Sequence, residues 1–287
     1  MRRTTETVWE RGLLLSATVS GTITLLIFGF MLFMGFPLMR GGQFFEILTS
    51  PWAPKGASYG IYPMIVSTLG ISFLSLAFAF PVSLGCACLI GVTGPRGLSR
   101  VFKRIVQMMT GIPTVIYGFV GVFLLVPLIR ELAQVGSGMC ILTAALILAV
   151  LISPTMILFF SDSFERVPKS YLDAADALGA RKAQKFLYIV LPCARKGISI
   201  GLILALGRAL GDTMVALMVA GNSIQVPGSV LDSARALTAH IALVVAADYE
   251  SLEFKSIFAC GVVLYLFVAL IVLGVRFFES SGIGRKV

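Results

Sequence analysis

The sequence predicts an all-α polytopic membrane protein with six transmembrane helices, on three observations. Of its 287 residues, 57% are hydrophobic and 13% charged, and the mean hydropathy is +0.96. A water-soluble domain holds about 45–50% apolar and about 25% charged residues, and a globule of this size could not hide so much apolar surface. The apolar residues also fall into six runs of bilayer-crossing length, which takes about 20 residues each. Finally, Lys and Arg concentrate in alternate connecting segments. These facts exclude a soluble enzyme, a disordered chain and a secreted disulfide scaffold.

The first run, residues 13–36, follows Met1-Arg2-Arg3 and Arg11. It is too long for a signal-peptide core and lacks an Ala-x-Ala cleavage pattern, so it reads as an uncleaved anchor. Residues 1–61 comprise the N-terminal tail, this helix and an outer loop, in which Phe44-Phe45-Glu46-Ile47-Leu48 predicts a short interfacial helix. Residues 62–277 are expected to form the transmembrane core, including the inside segment 161–196, and 278–287 a cytoplasmic C-terminal tail. The second run, 62–92, contains Pro81 and is long enough to kink or to extend past the bilayer. The third, fourth, fifth and sixth runs are 112–132, 139–160, 197–220 and 257–275. Residues 236–247 are apolar but too short to span, and read as a helix at the outer interface or dipping into the bundle.

With the N-terminus inside, 17 Lys and Arg residues fall in inside segments and five outside, with Arg208 inside a span. This asymmetry places both termini in the cytoplasm. It also explains the net charge of +9 without nucleic-acid binding. The five cysteines, Cys86, Cys88, Cys140, Cys193 and Cys260, have no C-x-x-C spacing, and His240 is the lone histidine. Neither a zinc site nor any other cofactor is expected.

The inside segment 161–196 carries the most information. Pro168 opens a short helix, acids follow in its early turns, and Gly179 closes it. Tyr171, Leu172, Ala175 and Leu178 form an apolar stripe, and Ala174, Ala175 and Ala177 keep one side slim. A second piece sets Arg181, Lys182 and Lys185 opposite Phe186, Ile189 and Val190 before Pro192. Composition alone fits either a helix–Gly–helix docking hook or an amphipathic loop on the membrane surface.

The fifth run holds Gly207-Arg208-Ala209-Leu210-Gly211-Asp212-Thr213-Met214. In a continuous helix, Arg208 and Asp212 share a face. An Arg at mid-span costs about 2.5–3.5 kcal/mol on insertion scales, and such charges mark solute pathways. Guanidinium suits oxyanions through paired hydrogen bonds, with Asp212 holding Arg208 in place. A self-satisfied ion pair and a subunit contact are the other readings. Gly207 and Gly211 predict close helix packing beside the pair. Thr114, Tyr117 and Thr213 are possible further donors.

Asp173-Ala174-Ala175, then Gly179, then Ile189 and Leu191-Pro192 resemble the EAA loop of ABC importer permeases in residue type and spacing. Asp173 stands where that family usually has Glu. The Gly207–Met214 stretch, Met218-Val219-Ala220-Gly221-Asn222, Gly111–Gly118 and Leu237–Ala242 resemble the PstC-type permeases of phosphate-specific importers; Asp212 again replaces the usual Glu.

The resemblance implies a type I (MetI-like) permease fold in the bacterial cytoplasmic (inner) membrane. It implies ATP-driven import of inorganic phosphate, with Arg208 and Asp212 in the substrate pathway. Asp173, Ala174, Ala175 and Gly179 would couple to an ATP-binding subunit dimer (PstB-like). A second permease (PstA-like) and an extracytoplasmic phosphate-binding protein (PstS-like) would complete the assembly, embedded in membrane lipid. The sequence lacks the G-x-x-x-x-G-K phosphate loop, so the chain is expected to be a transport subunit and no enzyme. A permease for molybdate or sulfate, or a self-contained secondary carrier, remains the alternative.

Overall fold

A computed structural model describes residues 2–39, 44–56, 58–134 and 136–282. Arg40, Arg285 and Lys286, counted above in the charge asymmetry, and residues 283–287 of the tail lie outside the described residues.

The chain is helical almost throughout, because backbone N–H and C=O groups in hydrocarbon must be satisfied within each segment. Helix α1 (Arg2–Met39) is followed by the short α2 (Phe44–Thr49) and a two-stranded hairpin, β1 (Trp52–Ala53) against β2 (Ser58–Tyr59). Helix α3 (Tyr62–Cys88) runs through Pro81 into a π-helical turn, Leu89–Thr93. The resulting apolar unit Tyr62–Thr93 has 32 residues, about 48 Å at the α-helical rise. It therefore outreaches a hydrocarbon core of about 30 Å unless strongly tilted.

Helix α4 (Arg96–Met109) is amphipathic and leads to α5 (Thr114–Val120), a π-turn Gly121–Leu125 and α6 (Val126–Ala133), which together make the third span. Helix α7 (Ile141–Glu165) is the fourth. Then come α8 (Lys169–Ala177), α9 (Lys182–Lys185), α10 (Leu191–Cys193) and α11 (Arg195–Gly211). Short α12 (Met214–Val219) and α13 (Leu237–Val244) precede the final α14 (Leu252–Gly282). Among the described residues, five helical units are long and apolar enough to span, and the pair Lys182–Cys193 and Arg195–Gly211, bent by 70°, makes six.

Helix α7 is the hub: 67% of its apolar window is buried, against 6% for α1. It packs on α3, α4, α5, α11 and α12. Small residues permit this closeness. A Cβ on Gly201 would lie 2.8 Å from Phe160, and one on Gly91 3.1 Å from Phe164. Between helices, Ser67, Thr68 and Ser75 turn their hydroxyls onto carbonyls of their own helix, which spares the core an unpaired donor. Helix α1 packs along α14 through Phe28 on Tyr265, ring centroids 4.3 Å apart.

Two expectations change here. The fifth span is not one helix over 197–220. It starts earlier, bends between α10 and α11, and stops at Gly211, where Asp212 turns extended (φ −72°, ψ 128°). The close packing expected of Gly207 and Gly211 is absent among the described residues, for none of them lies within 4 Å of a Cβ at either position.

The segment 236–247 dips inward. Leu237, Thr238, Ala239 and His240 of α13 are buried. Ile47, Trp52, Ile61, Met64, Leu237 and Val263 form a second apolar cluster at this end of the bundle, away from the hook. His240 sits edge-on to Trp52 (4.4 Å) with Nε2 3.5 Å from Ser256 Oγ, while Nδ1 has no hydrogen-bond partner among the described residues. Burial, then the nearby Arg235 charge, push its pKa down to about 4.

Candidate functional site: a broken fifth span and an exposed hook

The break in the fifth span is built by side-chain chemistry that favours helix ends. Asp212 Oδ2 accepts from the Val215 backbone N–H at 2.8 Å, satisfying one of the free donors in the first turn of α12. The Asp212 carbonyl accepts from Thr238 Oγ1 of α13 at 2.8 Å. Asp212 is thus occupied as a cap and does not ion-pair with Arg208. Among the described residues the ion pairs belong to Lys103 and Lys185. The i, i+4 reasoning assumed a continuous helix, whereas α11 ends before Asp212.

Arg208 is half-buried and donates from Nη1 to Thr155 Oγ1 of α7 at 3.4 Å, a long contact. No hydrogen bond or ion pair joins Arg208 to Asp212 or to Tyr117 of the third span among the described residues. Tyr117 donates instead to the Met109 carbonyl at 3.2 Å.

Arg208 lies on the face of α11 that holds Leu204 (44% exposed) and the open Gly207 and Gly211, while Ala205, Leu206, Ala209 and Leu210 are buried. The guanidinium therefore sits beside a face that is open among the described residues. Sequence reasoning missed Thr155 and Thr238, which lie 53 and 26 residues from their partners. The Asp before the apolar Met214–Val219 run was a readable helix-start signal.

Close approach continues at α12. A Cβ on Gly118 would press on Met218, and one on Gly121 would lie 2.9 Å from Val219. The third span thus packs tightly on the segment just beyond the break.

The hook forms as a helix–Gly–helix unit. Gly179 is left-handed (φ +75°), Gly179 N–H donates to the Asp176 carbonyl and Ala180 N–H to the Ala175 carbonyl, each at 2.9 Å. That arrangement closes a helix end and favours glycine. The Arg181 N–H donates to Gln184 Oε1 at 2.8 Å to start α9, and Lys185 reaches back to Asp176. The apolar stripe divides. Leu172 and Ala175 turn toward the bundle, whereas Tyr171 (52%), Leu178 (88%) and Tyr188 (77%) stay exposed. Asp173 and Ala174 are exposed as well. Tyr171, Ala174, Ala175, Leu178, Tyr188 and Ile189 line a largely apolar groove of about 390 Å³.

The fold is a membrane-spanning helix bundle with an exposed hook between its fourth and fifth crossings, and the family it matches makes it a transport component. The chain belongs to the family of binding-protein-dependent transport system inner membrane components, whose pattern it matches over residues 80–280. It is 31% identical over 279 residues to the probable ABC transporter permease protein YqgH of Bacillus subtilis, covering 96% of this chain and 88% of that one. It is 31% identical over 239 residues to the phosphate transport system permease protein PstC of Pasteurella multocida, covering 77% and 74%.

Among solved structures, a bacterial ABC transporter that imports alginate superposes with TM-score 0.67 at 18% identity, covering 96% of this chain and 98% of that one. An inward-facing MetNI methionine transporter gives 0.61 at 20% identity, covering 77% and 96%. The fold is that of a type I ABC importer permease, and the chain is a multi-pass subunit of such an importer.

Proposed function

We propose that this permease serves an ATP-driven importer of inorganic phosphate, with Arg208 as the cation that meets the anion. The observation that carries the reading is the half-buried Arg208 on the open face of α11, outside any ion pair among the described residues. A guanidinium offers fork-shaped donors that fit an oxyanion. Asp212 keeps a negative charge nearby and shapes the break. Support for phosphate comes from the relatives named PstC.

The open face with Gly207 and Gly211 suits a second, PstA-like permease across the pathway. The hook, with Asp173, Ala174, Ala175 and Gly179, grips a PstB-like ATP-binding dimer. A PstS-like binding protein delivers phosphate at the opposite end. The hook and both termini then face the cytoplasm of a bacterial inner membrane, consistent with the Lys and Arg asymmetry. ATP-driven closure of the partner dimer displaces the hook, and α11 moves with it, changing the exposure of Arg208.

The test is phosphate uptake in a strain lacking its own high-affinity phosphate importer, restored by this chain with its partner subunits. Rescue of molybdate or sulfate uptake instead would overturn the substrate. Gradient-driven transport by the purified chain alone would overturn the ABC reading.

A further inference from the structure

Helix α4 plays no part in the sites above, yet it is the most sharply two-sided element of the chain. Arg96, Arg100 and Arg104 recur every four residues and share one face. On the other side Val101 (53%), Ile105 (51%), Met108 (75%) and Leu98 (47%) are exposed, and Val106 alone is buried. A row of large apolar side chains held in water is unfavourable, and interfacial helices resolve this by sinking that face into the headgroup–acyl boundary.

The helix is fixed in place. Lys103 Nζ contacts Asp162 Oδ1 at 2.8 Å and Glu165 Oε1 at 3.0 Å, both near the end of α7 that leads into the hook. Burial pulls the Lys103 pKa down, but the two carboxylates outweigh it and the net direction is up. Lys103 thereby occupies the neighbouring acids, and Arg96, Arg100 and Arg104 are in no ion pair among the described residues. Arg96, Ser99, Arg100 and Lys103 line a cleft of about 520 Å³ together with the Gly91–Gly94 turn and Glu165, whose carboxylate is the one Lys103 holds.

We propose that α4 is a docking surface for an anionic phospholipid of the cytoplasmic leaflet. Arg96 and Arg100 take the phosphodiester at the cleft, and the Leu98–Met108 face packs against the acyl chains. Guanidinium pairs with phosphate oxygens through parallel hydrogen bonds, and basic pockets beside spanning helices on this side suit acidic headgroups. Free phosphate shares the headgroup chemistry but offers nothing to the apolar face, which argues for lipid. The leaflet rests on the topology proposed above; the docking surface rests on α4 itself.

The test uses the assembled transporter in nanodiscs of phosphatidylcholine mixed with phosphatidylglycerol, reading retained lipids by native mass spectrometry. Phosphatidylglycerol is expected to be retained preferentially. Arg96→Gln and Arg100→Gln should each lower the preference about fivefold; Arg100→Lys should keep most of it. Ile105→Ser should lower retention without altering charge. Millimolar inorganic phosphate should leave the lipid in place.

Unchanged preference in both glutamine variants overturns the proposal, as does displacement by inorganic phosphate. If the glutamine variants do not assemble, unchanged retention in Ile105→Ser overturns it. Nanodisc leaflets are equivalent, so this readout does not depend on topology. Thiol labelling of an Arg181→Cys variant in sealed inside-out vesicles tests the topology separately.

Discussion

Thr238 Oγ1 donates to the Asp212 carbonyl at 2.8 Å, tying the inward-dipping α13 to the break in the fifth span. Asp212 uses its side chain to start α12 and its carbonyl to hold α13, so one residue sets the geometry just beyond Arg208.

Thr238→Val keeps the shape but leaves that carbonyl without its donor. We expect a loss of about 1–2 kcal/mol in stability. Uptake should fall while the subunits still co-purify. Thermal unfolding in detergent and vesicle uptake measure the two effects, and wild-type values in both would detach α13 from the break.

Arg208→Ala should abolish uptake with the complex still assembled, since the guanidinium has one long contact to Thr155 and lies on an open face. Arg208→Lys keeps the charge without the planar fork, and should retain only a minor part of the rate. Normal uptake by the alanine variant would remove Arg208 from the pathway.

Gly179 has room for a side chain, with nothing within 4 Å of a Cβ, but its φ of +75° penalises one. Gly179→Leu should cost about 1–2 kcal/mol locally and weaken retention of the ATP-binding subunits. Gly179→Asn, which tolerates this conformation better, should do less harm. Leu178→Asp, at an 88% exposed position, should release those subunits without destabilising the fold. Unchanged co-purification of all three would refute the docking role of the hook.

His240 gives a pH dependence of definite sign. Its folded pKa is depressed to about 4, against about 6.5 in an unfolded chain. The neutral form is therefore the one that folds. Stability is full above about pH 6.5 and declines as the pH falls toward 4, because the unfolded chain gains a proton that the folded one refuses. The whole effect is on the order of 3 kcal/mol. His240→Gln should flatten this part of the stability profile; an unchanged slope between pH 6.5 and 4 would contradict the assignment.

The spans were legible because the bilayer imposes one rule on every crossing: about 20 apolar residues with internally satisfied backbone. The hook was legible for a local reason. Gly179 and Ala180 close one helix through bonds to Asp176 and Ala175, and Gln184 starts the next at Arg181, all over short sequence distances. The Arg208–Asp212 pair was misread because helical spacing assumes an unbroken helix. The break is stabilised by Thr238, which lies 26 residues away.

The amino-acid sequence by itself determined that this chain spans a membrane, which runs do so, and where its helix–Gly–helix hook lies. Those properties follow from hydropathy, charge placement and local capping. Only the tertiary structure decided that Asp212 caps instead of pairing, that Arg208 borders an open face, and that His240 is enclosed against Trp52. Those outcomes depend on which distant groups meet, and distant contacts are fixed by how the helices pack on one another, α7 with α11 and α13 with α3 and α14.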